Sequence, residues 1–202
     1  MYHAPTPGTL PGTLTRLVTP LVALLVLFGC SDSAEPTALT SDGPSDVAVF
    51  SDGGELGSLS VEARQDLAAL RRLVAPLHDF ETAVEAGWNV PITPCMEIEE
   101  GGMGYHYANL DFLMNGEAHV LEPEALLFEP QKNGRLRFVG VEYIVPQALS
   151  PEPPELFGQT FQPVPLEDPI WALHVWVGRH NPSGLFADWN PMVTCAHADD
   201  EG

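Results

Sequence analysis

A hairpin signal in the middle of the chain constrains its fold more than any other feature. Two strand-like segments, PEALLFEP (residues 123–130) and GRLRFVGVEYIVP (residues 134–146), flank an Asn133-Gly134 pair. Asn-Gly is favoured in two-residue hairpin turns, because both positions need backbone angles that these residues adopt easily. Apolar side chains occur on both faces of the two segments, so both faces are expected to be covered. The sequence therefore predicts a hairpin at the centre of an antiparallel sheet.

The register of this hairpin predicts two carboxylates on one covered face. Counting outward from a two-residue turn places Glu129 opposite Phe138 and Ala125 opposite Glu142. One face then carries Ala125, Leu127, Glu129, Leu136, Phe138, Gly140, Glu142 and Ile144, and the other carries Leu126, Phe128, Val139, Val141 and Val145. A buried charge must be paired, protonated or bound to a cation. The two carboxylates are separated by about 13 Å along the strand, too far apart to share one metal ion. We favour Glu142 as the ligand, because Glu129 lies near the turn.

A helical pattern precedes the hairpin. Apolar residues recur at spacings of three and four at Leu67, Leu70, Val74, Leu77, Phe80 and Val84, which is one face of a helix. Ser60 is placed to cap the start of this helix, and Gly87 is placed to end it. Pro76 interrupts the pattern, so we expect one kinked helix or a pair of helices.

A last strand, IWALHVWVGRH (residues 170–180), follows a proline-rich segment that is expected to form a long surface loop over the sheet. In this strand His174 alternates with Ala172 and Trp176 on one face, while Leu173, Val175 and Val177 occupy the other. The predicted fold class is α+β, with an N-terminal kinked helix or helix pair packed on a small antiparallel sheet around the central hairpin.

The N-terminus predicts export. Arg16 precedes the apolar run LVTPLVALLVLFGC, which is long enough for a signal-peptide core and too short to span a membrane. Its end, Leu27-Phe28-Gly29-Cys30, resembles the lipobox of bacterial lipoproteins. The resemblance implies that Cys30 is lipidated after residues 1–29 are removed, and that the protein is anchored in the cell envelope, at the outer membrane or facing the periplasm. An ordinary secretory signal with an incidental cysteine is the alternative.

The remaining chain divides into a tether, one domain and a tail. Residues 30–57 are rich in Ser, Asp, Gly and Pro and predict a flexible acidic tether. Residues 58–197 are expected to form the single α+β domain, and residues 198–202 an acidic tail. The net charge of −20, from 28 acidic and 8 basic residues, argues against nucleic-acid binding and against electrostatic docking on anionic lipid. Membrane attachment is therefore assigned to the N-terminal lipid, and no protein partner is identified.

Two cysteines remain after Cys30. These are Cys95 and Cys195. An even number of cysteines in an oxidising compartment predicts a disulfide, which here would close a loop of about a hundred residues. The alternative is a copper site built on Cys95-Met96 or Cys195-His197, because thiolate and thioether ligands select that metal.

The segment GGMGYHY, residues 101–107, supplies the most informative histidine. Its glycines permit a tight turn, after which His106 enters a strand between two tyrosines that point the other way. We expect His106, His174 and Glu142 to meet, either as a hydrogen-bonded core network or as ligands of one transition-metal ion, zinc, copper or iron. A small-molecule or haem pocket is the third alternative. Further candidate pocket residues are Tyr105, Tyr107, Asn109, Glu129, Trp176, Arg179 and His180.

Several short stretches, among them AGW at 86–88, MGYHYAN at 103–109, GVEY at 140–143 and NPSGLFADWNP at 181–191, resemble a group of uncharacterised secreted bacterial proteins. The resemblance covers roughly residues 62–196 and implies an envelope location without implying any chemistry. No motif of a known enzyme class occurs. We therefore favour a lipid-anchored envelope binding or structural module over the alternative, an envelope enzyme (a metal-dependent hydrolase or oxidoreductase) that uses the same histidines.

Overall fold

The predicted hairpin lies at the centre of an antiparallel sheet in the computed structural model, which describes residues 53–198. The elements follow in the order α1 (Gly53–Ser58), α2 (Val61–Val74), a 3-10 turn (Pro76–His78), α3 (Phe80–Glu85), β1 (Val90–Pro91), β2 (Met96–Ile98), β3 (Gly101–Ala108), α4 (Leu110–Leu113), β4 (Ala125–Pro130), β5 (Leu136–Pro146), β6 (Glu155–Leu156), β7 (Gln159–Thr160), β8 (Gln162–Val164) and β9 (Ile170–Val175). Within these residues the main sheet has seven strands in the order β1-β3-β4-β5-β9-β8, with β2 also paired to β3. The α+β prediction is confirmed.

The N-terminal helix is a helix pair, as the proline predicted. The Ser60 side chain accepts a hydrogen bond from the Ala63 amide at 3.0 Å and caps α2. Helix α2 ends at Val74, before Pro76, because a proline inside a helix removes a hydrogen bond and clashes with the preceding turn. Asp79 then caps α3 by accepting from the Thr82 amide. None of the helices in residues 53–198 has the length and apolar character needed to span a membrane.

The hairpin turn has three residues where the sequence predicted two. The Gln131 amide donates to the Arg135 carbonyl at 2.8 Å, and Gly134 adopts φ = 73°. Asn-Gly also suits this longer turn, which places glycine in the left-handed conformation. Ala125 still lies opposite Glu142, as expected, because a bulge between Leu127 and Phe128 restores the register.

Because of the bulge, the residues of β5 near the turn lie on the faces opposite to those predicted. Leu127 pairs with Gly140 and Phe128 pairs with Phe138, which leaves Val139 as the extra residue of β5. Leu136 and Phe138 therefore lie on the face that meets the helices, and Val139 lies on the opposite face, the reverse of the sequence prediction. Glu129 accordingly pairs with Arg137 instead of Phe138.

The proline-rich segment between β5 and β9 is more ordered than the predicted surface loop. It contains the two-stranded β6-β7 sheet and the edge strand β8, which pairs with β9. Phe157 and Phe161 from this segment are buried in the core. Pro163 is tolerated because an edge strand has one unpaired side, where the missing N–H costs no ladder hydrogen bond.

The sheet is covered on both faces. One face packs against α2 and α3 through a core that includes Leu67, Leu70, Leu126, Tyr143 and Val175. The other face carries a smaller cluster of Leu127, Val139, Trp176 and Val193. The C-terminal segment contributes Val193 to this cluster and pairs Asn190 with Gly102 of β3.

The ends of the predicted domain need one correction. Residues 53–57 belong to α1, and Leu56 packs against the core, so the folded domain begins before residue 58. The signal peptide, Cys30, most of the tether and all but the first residue of the acidic tail lie outside the described residues.

Candidate metal centre

Strand β3 brings His106 onto the face that the C-terminal segment covers. Gly101 and Gly104 both have positive φ, 136° and 83°, where a side chain would be strained. A Cβ on Gly104 would also overlap the Phe128 carbonyl of the neighbouring strand, and one on Gly101 would overlap the backbone at Asn190. The glycines therefore allow β3 to lie against β4 and the C-terminal segment, which explains their density in GGMGYHY.

Glu142 and His174 lie on the same face as His106. They are direct cross-strand neighbours on β5 and β9. Across the sheet, Ala108, Ala125, Glu142 and His174 form one row, and His106 belongs to the next row, opposite Leu127. Ala125 is small, so the His106 side chain reaches across β4 to the carboxylate. Three strands thus contribute one polar side chain each.

The ligand atoms of these residues converge. His106 Nε2 lies 3.3 Å from one Glu142 carboxylate oxygen, and His174 Nε2 lies 3.7 Å from the other. One ligand atom from each of the three residues lies within 4.8 Å of the other two. All three side chains are buried, with 3%, 9% and 5% of the His106, Glu142 and His174 side chains exposed. This buried group could hold a metal ion.

The second nitrogen of each imidazole faces a polar side chain. Thr93 Oγ1 lies 2.8 Å from His106 Nδ1, and Asp188 Oδ1 lies 3.7 Å from His174 Nδ1. The latter distance is too long for a hydrogen bond, and neither His174 nitrogen has a hydrogen-bond partner among residues 53–198. The indole of Trp176 lies parallel to the His174 ring, with centroids 6.1 Å apart. Thr93 and Asp188 were missed in the sequence because both lie on loops, where no periodicity identifies a buried neighbour.

The two histidines differ in their affinity for protons. Burial lowers the pKa of His106 below its ordinary 6.5, and the Glu142 carboxylate only partly opposes this, so His106 is mostly neutral at pH 7. Burial acts in the same direction on His174, but the carboxylates of Glu142 and Asp188 outweigh it and raise the pKa of His174. The His174 imidazole in turn lowers the pKa of Asp188. A metal ion and a proton would therefore compete chiefly for His174.

Of the remaining candidate pocket residues, Trp176 lies beside His174 and the others lie elsewhere. Glu129 accepts hydrogen bonds from the Thr194 amide and from Gln131, both at 3.1 Å, and lies 3.8 Å from Arg179. It does not join the Glu142 group, as the strand spacing predicted. Tyr105 and Tyr107 lie on the opposite face of β3, where Tyr107 contacts Phe80 and Phe128. Asn109 caps α4, Trp176 packs beside His174, and the carbonyl of the exposed His180 accepts from Asn190.

Cys95 and Cys195 form the predicted disulfide, with their Cα atoms 5.8 Å apart. Neither sulfur is therefore available as the thiolate that the copper alternatives required. The bond joins the segment that carries Thr93 to the C-terminal segment. Glu97 strengthens this junction by accepting a hydrogen bond from the Cys195 amide at 2.6 Å.

The chain matches no family model, no curated protein and no solved structure.

Proposed function

We propose that this protein binds one first-row transition-metal ion through His106 Nε2, His174 Nε2 and a Glu142 carboxylate oxygen. The observation that carries the proposal is the convergence of these three ligand atoms, one from each of three strands, within 4.8 Å of one another in a buried position. Burying a carboxylate and two imidazoles costs free energy unless each group is paired or bound to a cation. A metal ion would offset this cost for all three groups.

The spacing of the ligand atoms supports this proposal. With metal–ligand bonds of ~2.0–2.2 Å, two ligands of one tetrahedral ion lie about 3.3–3.6 Å apart. The two imidazole–carboxylate distances, 3.3 and 3.7 Å, are close to that range. These two distances reach different oxygens of Glu142, and the three ligand atoms lie within 4.8 Å of one another, so the side chains would move closer together around an ion.

The surroundings of the imidazoles also support it. Metal-binding histidines commonly donate their other ring N–H to a carboxylate or another acceptor, which fixes the tautomer that ligates. Thr93 is at hydrogen-bond distance from His106 Nδ1, and Asp188 is 3.7 Å from His174 Nδ1. In the bound state each Nδ1–H would donate to its neighbour, leaving each Nε2 free to bind the metal.

Zinc is the metal we propose first. Two imidazoles and one carboxylate suit zinc and iron(II), and imidazole also suits copper(II). Copper(I) favours thiolate ligands, and Cys95 and Cys195 cannot supply them because they are joined in the disulfide. Three protein ligands would leave a fourth position for water.

That open position supports a second candidate function, an envelope enzyme of the metal-dependent hydrolase or oxidoreductase class. Asp188 lies beside His174, and its side chain is 59% exposed. Water or a substrate would therefore approach the metal from the side of Asp188. The deep burial of the three ligands favours metal binding without turnover as the first reading.

We further propose that the protein works in the bacterial cell envelope, anchored by lipid on Cys30. The apolar run ending in Leu27-Phe28-Gly29-Cys30 supports this location. The Cys95–Cys195 disulfide is consistent with it, because disulfides persist in oxidising compartments.

Metal analysis tests the binding proposal. The full chain, purified in detergent without chelator or affinity histidines, should contain about one equivalent of a single transition metal, as a three-ligand site requires. Glu142→Gln and His174→Ala should lose the metal, because each removes a ligand.

Glu129→Gln and His119→Ala are the matched controls. The first removes a buried carboxylate outside the group, and the second removes an exposed histidine paired with Glu117. If the wild type neither contains nor takes up metal, and Glu142→Gln only destabilises the fold, the three residues are a structural network and the proposal fails.

A further inference from the structure

A second polar feature lies at the turn of the central hairpin, away from the metal-binding group. A cavity of about 690 Å³ opens beside this turn, and its ionisable lining residues are His78, Lys132, Arg135 and Arg137. We call it the basic cleft. No carboxylate lines it. Since the chain has 28 acidic and only 8 basic residues, three Lys or Arg side chains in one cleft are a marked concentration of positive charge.

These cations form no close ion pair within residues 53–198. In residues 53–198, none of the Lys132, Arg135 and Arg137 side chains lies within 4.0 Å of a carboxylate, whereas nearby Arg179 lies 3.8 Å from Glu129. Like charges that lie close together repel each other. Arg135 does interact electrostatically with the Asp79 carboxylate. No carboxylate holds any of the three cations in a close ion pair within residues 53–198, so their charge remains available to an anionic ligand.

One wall of the cleft is aromatic, formed by the exposed His78 ring over the buried Phe138. The His78 ring stacks on Phe138, with centroids 4.5 Å apart and an angle of 21° between the planes. Phe138 is only 3% exposed and belongs to the core on the helix side of the sheet. A Cβ on Gly178 would overlap the Phe138 ring, so glycine at this position leaves room for the ring.

We propose that the basic cleft binds a small soluble polyanion, such as a sugar bisphosphate or a similar organic molecule with two anionic groups. Its volume falls within the ~300–1,000 Å³ typical of small-molecule sites. Two guanidinium groups can each bind a phosphate through paired hydrogen bonds, and Lys132 adds a third charge. The ligand's uncharged part would lie against the His78 ring, which Phe138 supports from below. This inference does not depend on the metal-binding proposal.

The test is calorimetric titration of the full chain, in detergent at low ionic strength, with fructose 1,6-bisphosphate. We expect saturable binding at one site. Arg135→Gln and Arg137→Gln should each weaken this binding by about tenfold or more, because each removes a charge-assisted contact. Both side chains are exposed, so the fold should persist, and thermal unfolding of each variant checks this.

Arg72→Gln is the control, since it removes one positive charge from an exposed residue that does not line the cleft. Binding should be unchanged in this variant. The proposal is overturned if the bisphosphate does not bind saturably, or if Arg72→Gln weakens binding as much as Arg135→Gln. It is equally overturned if vesicles containing phosphatidylglycerol bind through these arginines while the soluble bisphosphate does not.

Discussion

Glu124 should make the protein less stable as the pH rises. Its side chain is 1% exposed, one carboxylate oxygen accepts a hydrogen bond from the Ile144 amide at 3.0 Å, and the other has no partner among the described residues. Burial raises the pKa of Glu124 to about 8, against an ordinary 4.5, although the Ile144 hydrogen bond opposes the rise. The folded protein therefore prefers the protonated form.

The sign and size of the effect follow from the two pKa values. A raised folded pKa means that the stability contribution is complete below about pH 4.5 and is lost as the pH passes through about 8. At ~1.4 kcal/mol per pH unit, the loss between pH 5 and pH 9 is about 4 kcal/mol. Glu124→Gln has nearly the same shape, keeps an acceptor for the Ile144 amide and cannot ionise, so it should not show this loss.

Urea unfolding at pH 5, 7 and 9 measures the difference between the two proteins. We expect Glu124→Gln to be close to the wild type at pH 5 and more stable by roughly 3–4 kcal/mol at pH 9. Glu100→Gln, which neutralises an exposed carboxylate, should follow the wild type at every pH. A difference between Glu124→Gln and the wild type that stays constant from pH 5 to pH 9 would show that Glu124 is ionised in the folded state, and would refute this reasoning.

Three further predictions concern the anchor, the disulfide and the metal-binding group. Cys30→Ser should leave an unprocessed precursor or release the protein into the soluble envelope fraction, and processing and membrane attachment like those of the wild type would contradict the lipid anchor. Cys95→Ser with Cys195→Ser should destabilise the domain by at most ~4–5 kcal/mol in urea unfolding, because the bond closes a loop with a sequence separation of 100; unchanged stability would mean that the bond does not constrain the unfolded chain. Thr93→Val should weaken metal binding by about 10–100-fold in a competition titration, because it removes the acceptor for His106 Nδ1–H; unchanged affinity would exclude Thr93 as a positioning residue.

The sequence predicted the candidate metal group because its residues lie on regular strands. In their strands His106, Glu142 and His174 alternate with other residues, so a period of two assigns each of them to a face of the sheet. The predicted pairing of Ala125 with Glu142 also gives the correct register for the part of the hairpin that carries Glu142. The same counting failed for Phe138 and Val139. Both residues are apolar, so the hydrophobic pattern does not show which of them lies on the helix-facing side of the sheet and which is the unpaired residue of the bulge.

Loop residues and short elements were beyond such patterns. Thr93 and Asp188 approach the histidines only after the chain has folded, since neither belongs to a periodic segment. Strand β8 was missed because Pro163 is unfavourable within a sheet and acceptable only at its edge, and position in a sheet is a tertiary property. Helix α1 begins at a Gly-Gly pair, which is typical of a flexible tether. The packing of Leu56 against the core stabilises this helix, and that contact is not visible in the sequence.

The central claim is that one metal ion binds between β3, β5 and β9. Anomalous diffraction from crystals of the full chain grown with zinc, recorded on both sides of the zinc absorption edge, tests it most directly. We expect one strong peak within ~2.0–2.2 Å of His106 Nε2, His174 Nε2 and a Glu142 oxygen, the usual zinc–ligand distances. A map with no peak among these three side chains, or with zinc bound only at surface carboxylates, would contradict the account.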